Sequence, residues 1–443
     1  MGLTVVSDGG REWRLTERIG GGSEGIVYAV ADARPLVAKL VPDPPDPDAY
    51  RRRVARLVRQ RREPRTVGLL SGTPVRLAWP MVPVRTAGGG ADGVDGYVMT
   101  DMRHAYQPLA HLLTPAARGA LLPGATWATA LAAAHALALL LAELHAEGYV
   151  VGDLKPDNLW VDHAGRVGMT DVDSWQFTDG REVFPGRMRT PGYTAPERIG
   201  APAGTPPDTA SDDFLLAVLV HQLLMAGLHP FAGHPADGSD YLSYDDNVLH
   251  GRCRITDRTS VLLPRSAPPA DLLPRRLVDL FRAAFEGARP RAEVWARELA
   301  AELAPGRLKT CAVNARHVHT VERPWCPWCD QAERGTDSYP QLGDERSADG
   351  FARLGDERSA DGFARLGDER TTDGFARFRQ EADAGGLSRP RQERGADGYP
   401  QPGDERRADG FPVPGDERTA DGFARLRREP DVGGLPRPRE EHA

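Results

Sequence analysis

Tyr149-Val150-Val151-Gly152-Asp153-Leu154-Lys155-Pro156-Asp157-Asn158-Leu159-Trp160-Val161 sets a carboxylate, an ammonium and an amide within one short loop. Before it, the Ala- and Leu-rich run 128–146 reads as a buried helix; after it, Leu159-Trp160-Val161 reads as a strand. Moving a phosphoryl group requires a carboxylate beside the attacking hydroxyl, a cation near the transferring oxygens and an oxygen ligand for Mg²⁺. Asp153, Lys155 and Asn158 supply one of each. The bland alternative is a polar turn between helix and strand.

Three further signals surround this loop. Downstream, Gly168-Met169-Thr170-Asp171-Val172-Asp173-Ser174 places Asp171 just after a short apolar strand, where a carboxylate suits a hard cation such as Mg²⁺. Upstream, Ile19-Gly20-Gly21-Gly22-Ser23-Glu24-Gly25-Ile26-Val27 spaces Gly20, Gly22 and Gly25 so that backbone N–H groups can close over phosphates. Val27 could roof a purine. Between the two, Val37-Ala38-Lys39-Leu40 puts a Lys in an apolar strand, either an edge charge facing water or a ligand of the α- and β-phosphates. Residues 11–45 alternate as hairpins do, 48–62 read as an Arg-rich helix, and 75–84 and 94–102 read as strands. Helices are expected over about 125–146, 211–226, 271–286 and 290–303. A strand-rich first part and a helix-rich second part imply two lobes with a cleft between them.

Taken together and in this order, these motifs resemble the protein kinases, specifically the bacterial eukaryotic-type (Hanks-type) Ser/Thr kinases. Thr190-Pro191-Gly192-Tyr193-Thr194-Ala195-Pro196-Glu197 resembles the end of an activation segment. Ser211-Asp212-Asp213-Phe214 resembles the buried helix that anchors the catalytic loop, His229-Pro230-Phe231 the short motif after it, and Arg289-Pro290 the Arg that pairs with the segment's Glu, here Glu197. The resemblance implies an α+β bilobal fold over residues 11–303, with an N-lobe to about 102 and a C-lobe from 103. It also implies ATP and Mg²⁺ as cofactors and protein hydroxyls as substrates. Gly20, Gly22 and Gly25 would cover the phosphates and Lys39 would bind them. Asp153 would take the hydroxyl proton, Lys155 would steady the transferring group, and Asn158 and Asp171 would hold Mg²⁺. Met99 would back the adenine pocket, with Thr100, Asp101 and Met102 as the hinge.

Three departures bear on activity. Val151-Gly152 stands where the family has His-Arg, so no fixed cation reads a phosphate on the activation segment, and activity is expected not to depend on one. Val172-Asp173 replaces Phe-Gly, adding either a second carboxylate to the site or a stiffer turn. The helix after Lys39 contains no Glu, so Glu63 or Asp48 substitutes as the partner of Lys39, or the pair is absent. The rival from another class is therefore a nucleotide-binding pseudokinase scaffold. A small-molecule kinase fits less well, because residues 190–197 resemble a peptide-docking segment.

The rest of the chain carries other signals. Cys311, Cys326 and Cys329, with His317 or His319, offer the N/S ligand set that Zn²⁺ prefers. Short ribbons of similar form follow some bacterial kinases of this type, which favours His317 and a structural zinc module over 308–332. Cys253 stands alone and reads as buried. Residues 335–443 repeat with a 12-residue period: Gly343-Asp344-Glu345-Arg346 returns at Gly355, Gly367, Gly403 and Gly415. Each unit offers too little apolar surface to offset ordering its backbone, so a disordered tail is expected. A net charge of −7 argues against a general nucleic-acid partner. Neither a leader nor a membrane span is read from the sequence, and a cytoplasmic setting is expected. The zinc module or tail could engage a protein partner.

Overall fold

The structure is a computed structural model that describes residues 3–341 apart from 23, 32, 34, 88–92, 203 and 270. The repeats from 342 onward, and so nearly all of the expected tail, lie outside the described residues.

The N-lobe is an antiparallel barrel. Its strands are β1 (Thr4–Val6), β2 (Glu12–Gly22), β3 (Gly25–Val30), β4 (Leu36–Val41), β5 (Val82–Thr86) and β6 (Asp95–Thr100). They run in the order β1-β2-β3-β4-β6-β5, and β5 pairs back to β1. Two helices interrupt them, α1 (Pro47–Gln60) and α2 (Pro64–Leu70), each opening on Pro at its first turn. The Asp46 side chain caps α1 by accepting from the Ala49 N–H at 2.9 Å. Successive side chains of a strand face opposite ways. On β4, Ala38 and Leu40 fill the barrel with Val5, Trp13 and Leu15. Val37 turns outward with Tyr97 and Met99 toward Val54 of α1. Lys39 shares that outward face, and its position opposite Tyr97 on β6 is central to the site.

The strand expected over 75–84 begins only at Val82. Residues 76–78 instead bond to the C-lobe: Met169 N–H donates to the Arg76 carbonyl at 2.8 Å and Ala78 N–H to the Met169 carbonyl at 2.9 Å. Trp79 donates from Nε1 to the Leu57 carbonyl at 2.8 Å. The segment thus ties α1 to β9, beside the candidate site.

The C-lobe begins with β7 (Gln107–Pro108), α3 (Leu109–Leu113), α4 (Pro115–Leu121) and α5 (Trp127–Ala146). Then come β8 (Leu159–Val161), β9 (Val167–Met169), β10 (Phe177–Asp179), β11 (Glu182–Phe184) and α6 (Thr209–Leu224). The lobe continues through β12 (His234–Pro235), α7 (Tyr244–Leu249), β13 (Val261–Leu262), α8 (Arg275–Phe285) and α9 (Ala292–Glu302). Among the described helices α5 is the one long and apolar enough to cross a membrane, but it is packed in this lobe's core against α6 and α9. Helix α6 is buried from Ser211 to Leu224, its apolar run 214–220 lying in the core and its polar residues buried with partners such as the backbone N–H groups that Asp212 accepts from. Beyond α9, β14 (Leu308–Thr310), β15 (Val318–Thr320) and α10 (Pro327–Glu333) fold back onto the same lobe. Trp328 and Tyr339 join its core, and Arg316 donates to the Ala125 carbonyl at 2.9 Å, just before α5.

Candidate active site and metal-binding cluster

The candidate catalytic loop hangs from α6. The Asp212 carboxylate is fully buried and accepts from the backbone N–H groups of Val151, at 2.7 Å, and Gly152, at 2.8 Å. His145 Nε2 lies 3.1 Å from the same group. Gly152 has φ of 77°, and a Cβ there would meet the Pro207 ring at 2.7 Å. Left-handed backbone and lack of room explain why glycine holds this position.

Asp153, Lys155 and Thr190 form one cluster. Lys155 Nζ lies 2.7 Å from Asp153 Oδ2. The Thr190 hydroxyl donates to Asp153 Oδ1 at 2.7 Å and accepts from Lys155 at 3.0 Å. Burial alone would lower the Lys155 pKa, but the charge of Asp153 and its hydrogen bond outweigh it and raise it. Asn158 donates from Nδ2 to the Asp153 carbonyl at 3.1 Å, which commits its nitrogen and leaves its oxygen to serve a cation. Asp171 adopts φ of 56°, uncommon for a residue with a side chain and a form of strain found at functional sites. Both donors suit Mg²⁺, which takes oxygen ligands.

Lys39 is 1% exposed and meets three carboxylates. Asp171 Oδ1 is at 2.7 Å, Asp173 Oδ1 at 2.9 Å and Glu24 Oε2 at 3.8 Å. Burial works against its charge, but Asp171 and Asp173 more than compensate and hold its pKa well above the usual value. Tyr97 donates its hydroxyl to Asp173 Oδ1 at 2.7 Å. The two expected substitutes for the helix Glu are therefore corrected. Glu63 pairs with Arg65 at 3.0 Å and Asp48 with Arg51, both by local pairing within a few residues. Of the two readings of Asp173, the second carboxylate is the one observed.

In the glycine-rich hairpin, Gly25 alone of the three spaced glycines is required by the fold, since its φ is 131° and a Cβ would meet the Leu40 carbonyl at 2.6 Å. A Cβ at Gly22 would meet nothing and one at Gly20 only the Val27 Cβ at 4.0 Å, which leaves the backbone bare where phosphates would lie. Glu24 sits between two lysines, 3.8 Å from both Lys39 and Lys155. Burial first, and then the charge of Asp171, push its pKa up to about 8. Val27 and Met99 pack into the cluster below β3 and β6 with Met102. Asp101 donates its N–H to the Pro35 carbonyl at 2.8 Å and binds Arg103 through its carboxylate at 2.8 Å, so it braces the hinge. Arg289 reaches Glu197 at 3.1 Å. Tyr97 and Glu24 were not singled out from the sequence as site residues, and Asp173 was read only as a possible second carboxylate, not as a partner of Lys39.

A second cluster lies between β14 and α10. The ligand atoms of Cys311, His317, Cys326 and Cys329 lie within 4.8 Å of one another. Cys311 and Cys329 sulfurs are 3.6 Å apart, and His317 Nδ1 is 3.4 Å from Cys329. Asp337 Oδ1 lies 3.0 Å from His317 Nε2. His319 stands apart, with Nδ1 3.0 Å from the Thr320 carbonyl. Zn–S bonds of about 2.3 Å arranged as a tetrahedron give edges of about 3.8 Å, close to these separations.

No family model matches the chain. It is 27% identical over 353 residues to protein kinase YegI of Escherichia coli K12, across 77% of this chain and 52% of that protein. The O157:H7 form gives 28% over 337 residues, across 74% of this chain and 50% of that one. The chain therefore spans about half the length of these curated relatives. Serine/threonine-protein kinase PkaB of Streptomyces coelicolor is 37% identical over 110 residues, 21% of this chain and 24% of PkaB. Among solved structures, the ROP18 kinase domain with AMP-PNP and sucrose aligns at 17% identity and a TM-score of 0.42, covering 68% of this chain and 85% of that one. A loop hung from a buried Asp and a buried Lys held by carboxylates thus occur in a chain that is similar to protein kinase YegI of Escherichia coli over about three quarters of its length.

Proposed function

We propose that the protein is an ATP-dependent Ser/Thr protein kinase. The observation that carries this reading is the assembled group of Asp153, Lys155 and Thr190, with a buried, charged Lys39 across the cleft. The substrate hydroxyl oxygen would attack the γ-phosphorus of ATP, forming a new O–P bond as the bond to the β-phosphate oxygen breaks. Asp153 orients that hydroxyl and accepts its proton. Lys155 offsets negative charge on the transferring group. Lys39 holds the α- and β-phosphates. Asn158 and Asp171 would hold Mg²⁺, whose charge neutralises the phosphate oxygens. Thr190 together with Lys155 supports Ser and Thr rather than Tyr as acceptors.

The lack of a Glu on α1 was the main argument for a nucleotide-binding scaffold. Asp173 weakens it, because Lys39 is not left without a counter-charge. For the second cluster we propose a closed structural Zn²⁺ site with His317, not His319, as fourth ligand. Cys311, Cys326 and Cys329 would bind as thiolates, and Asp337 would fix the His317 tautomer that presents Nδ1.

The test is phosphoryl transfer from labelled ATP by the purified full chain with Mg²⁺, beside Asp153→Asn. Phosphate on Ser or Thr, reduced at least about 100-fold in Asp153→Asn, supports the kinase. Undiminished labelling in Asp153→Asn, or no labelling by a protein that binds ATP, overturns it.

A further inference from the structure

Kinase-type sites hold the phosphate-binding Lys with a carboxylate, and here the helix that should bring it has no Glu and a single acid, Asp48, which is exposed and pairs with Arg51. A buried ammonium without a counter-charge is costly, so its partner must come from elsewhere. Three carboxylates are within reach of Lys39. Asp171 is the closest, but the proposed reaction needs it for the metal. Glu24 lies at 3.8 Å on the glycine-rich hairpin, where phosphates would enter, and its Oε2 makes no hydrogen bond. Asp173 remains. It is 7% exposed, and its Oδ1 accepts from Lys39 at 2.9 Å and from the Tyr97 hydroxyl at 2.7 Å. Tyr97 is buried and stands opposite Lys39 in the β4–β6 register, so two cross-strand neighbours converge on one oxygen. Phe-Gly in the usual motif could not supply that oxygen; Val172-Asp173 does.

We infer that Asp173 is the positioning residue for Lys39, holding its ammonium in place for the phosphates while Asp171 is released to the metal. This deepens the kinase reading and rests on it. The geometry also changes what can switch the site. Helix α1 contributes a cation instead: Arg53 donates to the carbonyls of Trp175 and Pro185, each at 2.6 Å. Swinging α1 away would not remove the partner of Lys39. Turning over residues 171–174 would remove that partner and a metal ligand in one motion.

The experiment measures Mg-ATP affinity by calorimetry, and steady-state kcat and KM for ATP, on the full chain. The variants are Asp173→Asn, Tyr97→Phe, Lys39→Met, the double variant Lys39→Met with Asp173→Asn, and the controls Glu63→Gln and Asp48→Asn. Asp173→Asn keeps the shape and an acceptor for Tyr97 but loses the charge. It should weaken Mg-ATP binding and kcat/KM by about ten- to a hundred-fold, the range for one charge-assisted hydrogen bond, while the nucleotide-free protein keeps its cooperative melt. Tyr97→Phe should weaken them by about three- to tenfold. The double variant should bind no worse than Lys39→Met alone, since a partner matters only while the Lys is present. Both controls should stay within about twofold of wild type. If Asp173→Asn and Tyr97→Phe bind Mg-ATP as wild type does, or if Asp173→Asn and Lys39→Met add fully, the inference falls. Should Asp173→Asn not fold, Tyr97→Phe and the controls decide alone. A wild-type chain that binds Mg-ATP but transfers nothing would overturn the kinase reading, and the affinity comparison would still judge Asp173.

Discussion

Arg198 donates from Nη1 to the carbonyl of Gly152 at 2.8 Å, placing a cation beneath the catalytic loop that no kinase-type motif in the sequence announces. The same guanidinium reaches the Met188 carbonyl at 3.1 Å, and it is 4% exposed. It therefore joins the catalytic loop to the activation segment through backbone carbonyls and needs no phosphate. Arg198→Met should lower stability by about 2–4 kcal/mol, because it leaves buried acceptors unpaired, and should reduce kcat more than it raises KM for ATP. Urea unfolding and steady-state kinetics check both. Phosphatase treatment of the wild-type chain should not lower its rate.

Thr190 is expected to act as a spacer that holds Asp153 and Lys155 at their working separation. Thr190→Ser keeps both hydrogen bonds and should keep activity. Thr190→Val loses them and should lower kcat about 10- to 100-fold, as losing 1.5–3 kcal/mol at charged partners implies, with KM for ATP little changed. A phosphate on Thr190 would set a dianion against Asp153, so the Thr190-phosphorylated fraction, isolated chromatographically, should be inactive.

Glu24 gives the nucleotide-free protein a pH signature. Its folded pKa is raised to about 8 from 4.5, so the folded state holds a proton over a range where the unfolded chain has lost it. Stability from this group is complete below pH 4.5, falls as pH rises, and is gone above about 8. Glu24→Gln has no such loss. Its melting temperature should match wild type near pH 5, exceed it increasingly toward pH 8, and run parallel above that. Equal slopes for the two proteins between pH 5 and 8 would show that Glu24 is not buried beside Asp171 in solution.

Asp337 should matter for metal although it is not itself a ligand. Asp337→Asn should weaken zinc binding about 10- to 100-fold, read by competition with a chromogenic chelator. Stripping the metal from wild type should lower the melting temperature, whereas His319→Gln should leave zinc stoichiometry at wild-type level. Zinc retention unchanged in a Cys326→Ser variant would contradict the assignment.

The sequence was most legible where chemistry demands fixed residues at fixed spacing. The loop from Asp153 to Asn158, Asp171 and Lys39 stand together across one cleft, because strand alternation on β4 and the anchor at Asp212 leave few other arrangements. Long helices were read to within a few residues, since α1, α8 and α9 are amphipathic and α5 and α6 are apolar runs bounded by polar caps. Less legible were partnerships that cross the fold. Nothing local links Tyr97 to Asp173 or Arg198 to Gly152; each depends on two elements meeting. The segment 75–81 looked like a strand from its apolar residues, but it bonds to Met169 of the other lobe. A preference for the extended state does not say which neighbour will accept it.

The return of residues 308–341 to the C-lobe sets where this domain can be cut. A buried Trp removes about 150–250 Å² from water, and at about 25 cal/mol per Å² that is at most roughly 4–6 kcal/mol. Trp328 is such a residue, fully buried against Tyr339, whose ring Arg118 covers at 4.3 Å. A fragment ended at Glu302 would forfeit a sum comparable with the whole net stability of a typical domain. It would also open an apolar slot beside the start of α5. Expression boundaries drawn after α9 should therefore yield aggregates, and those drawn past Gln341 a folded protein.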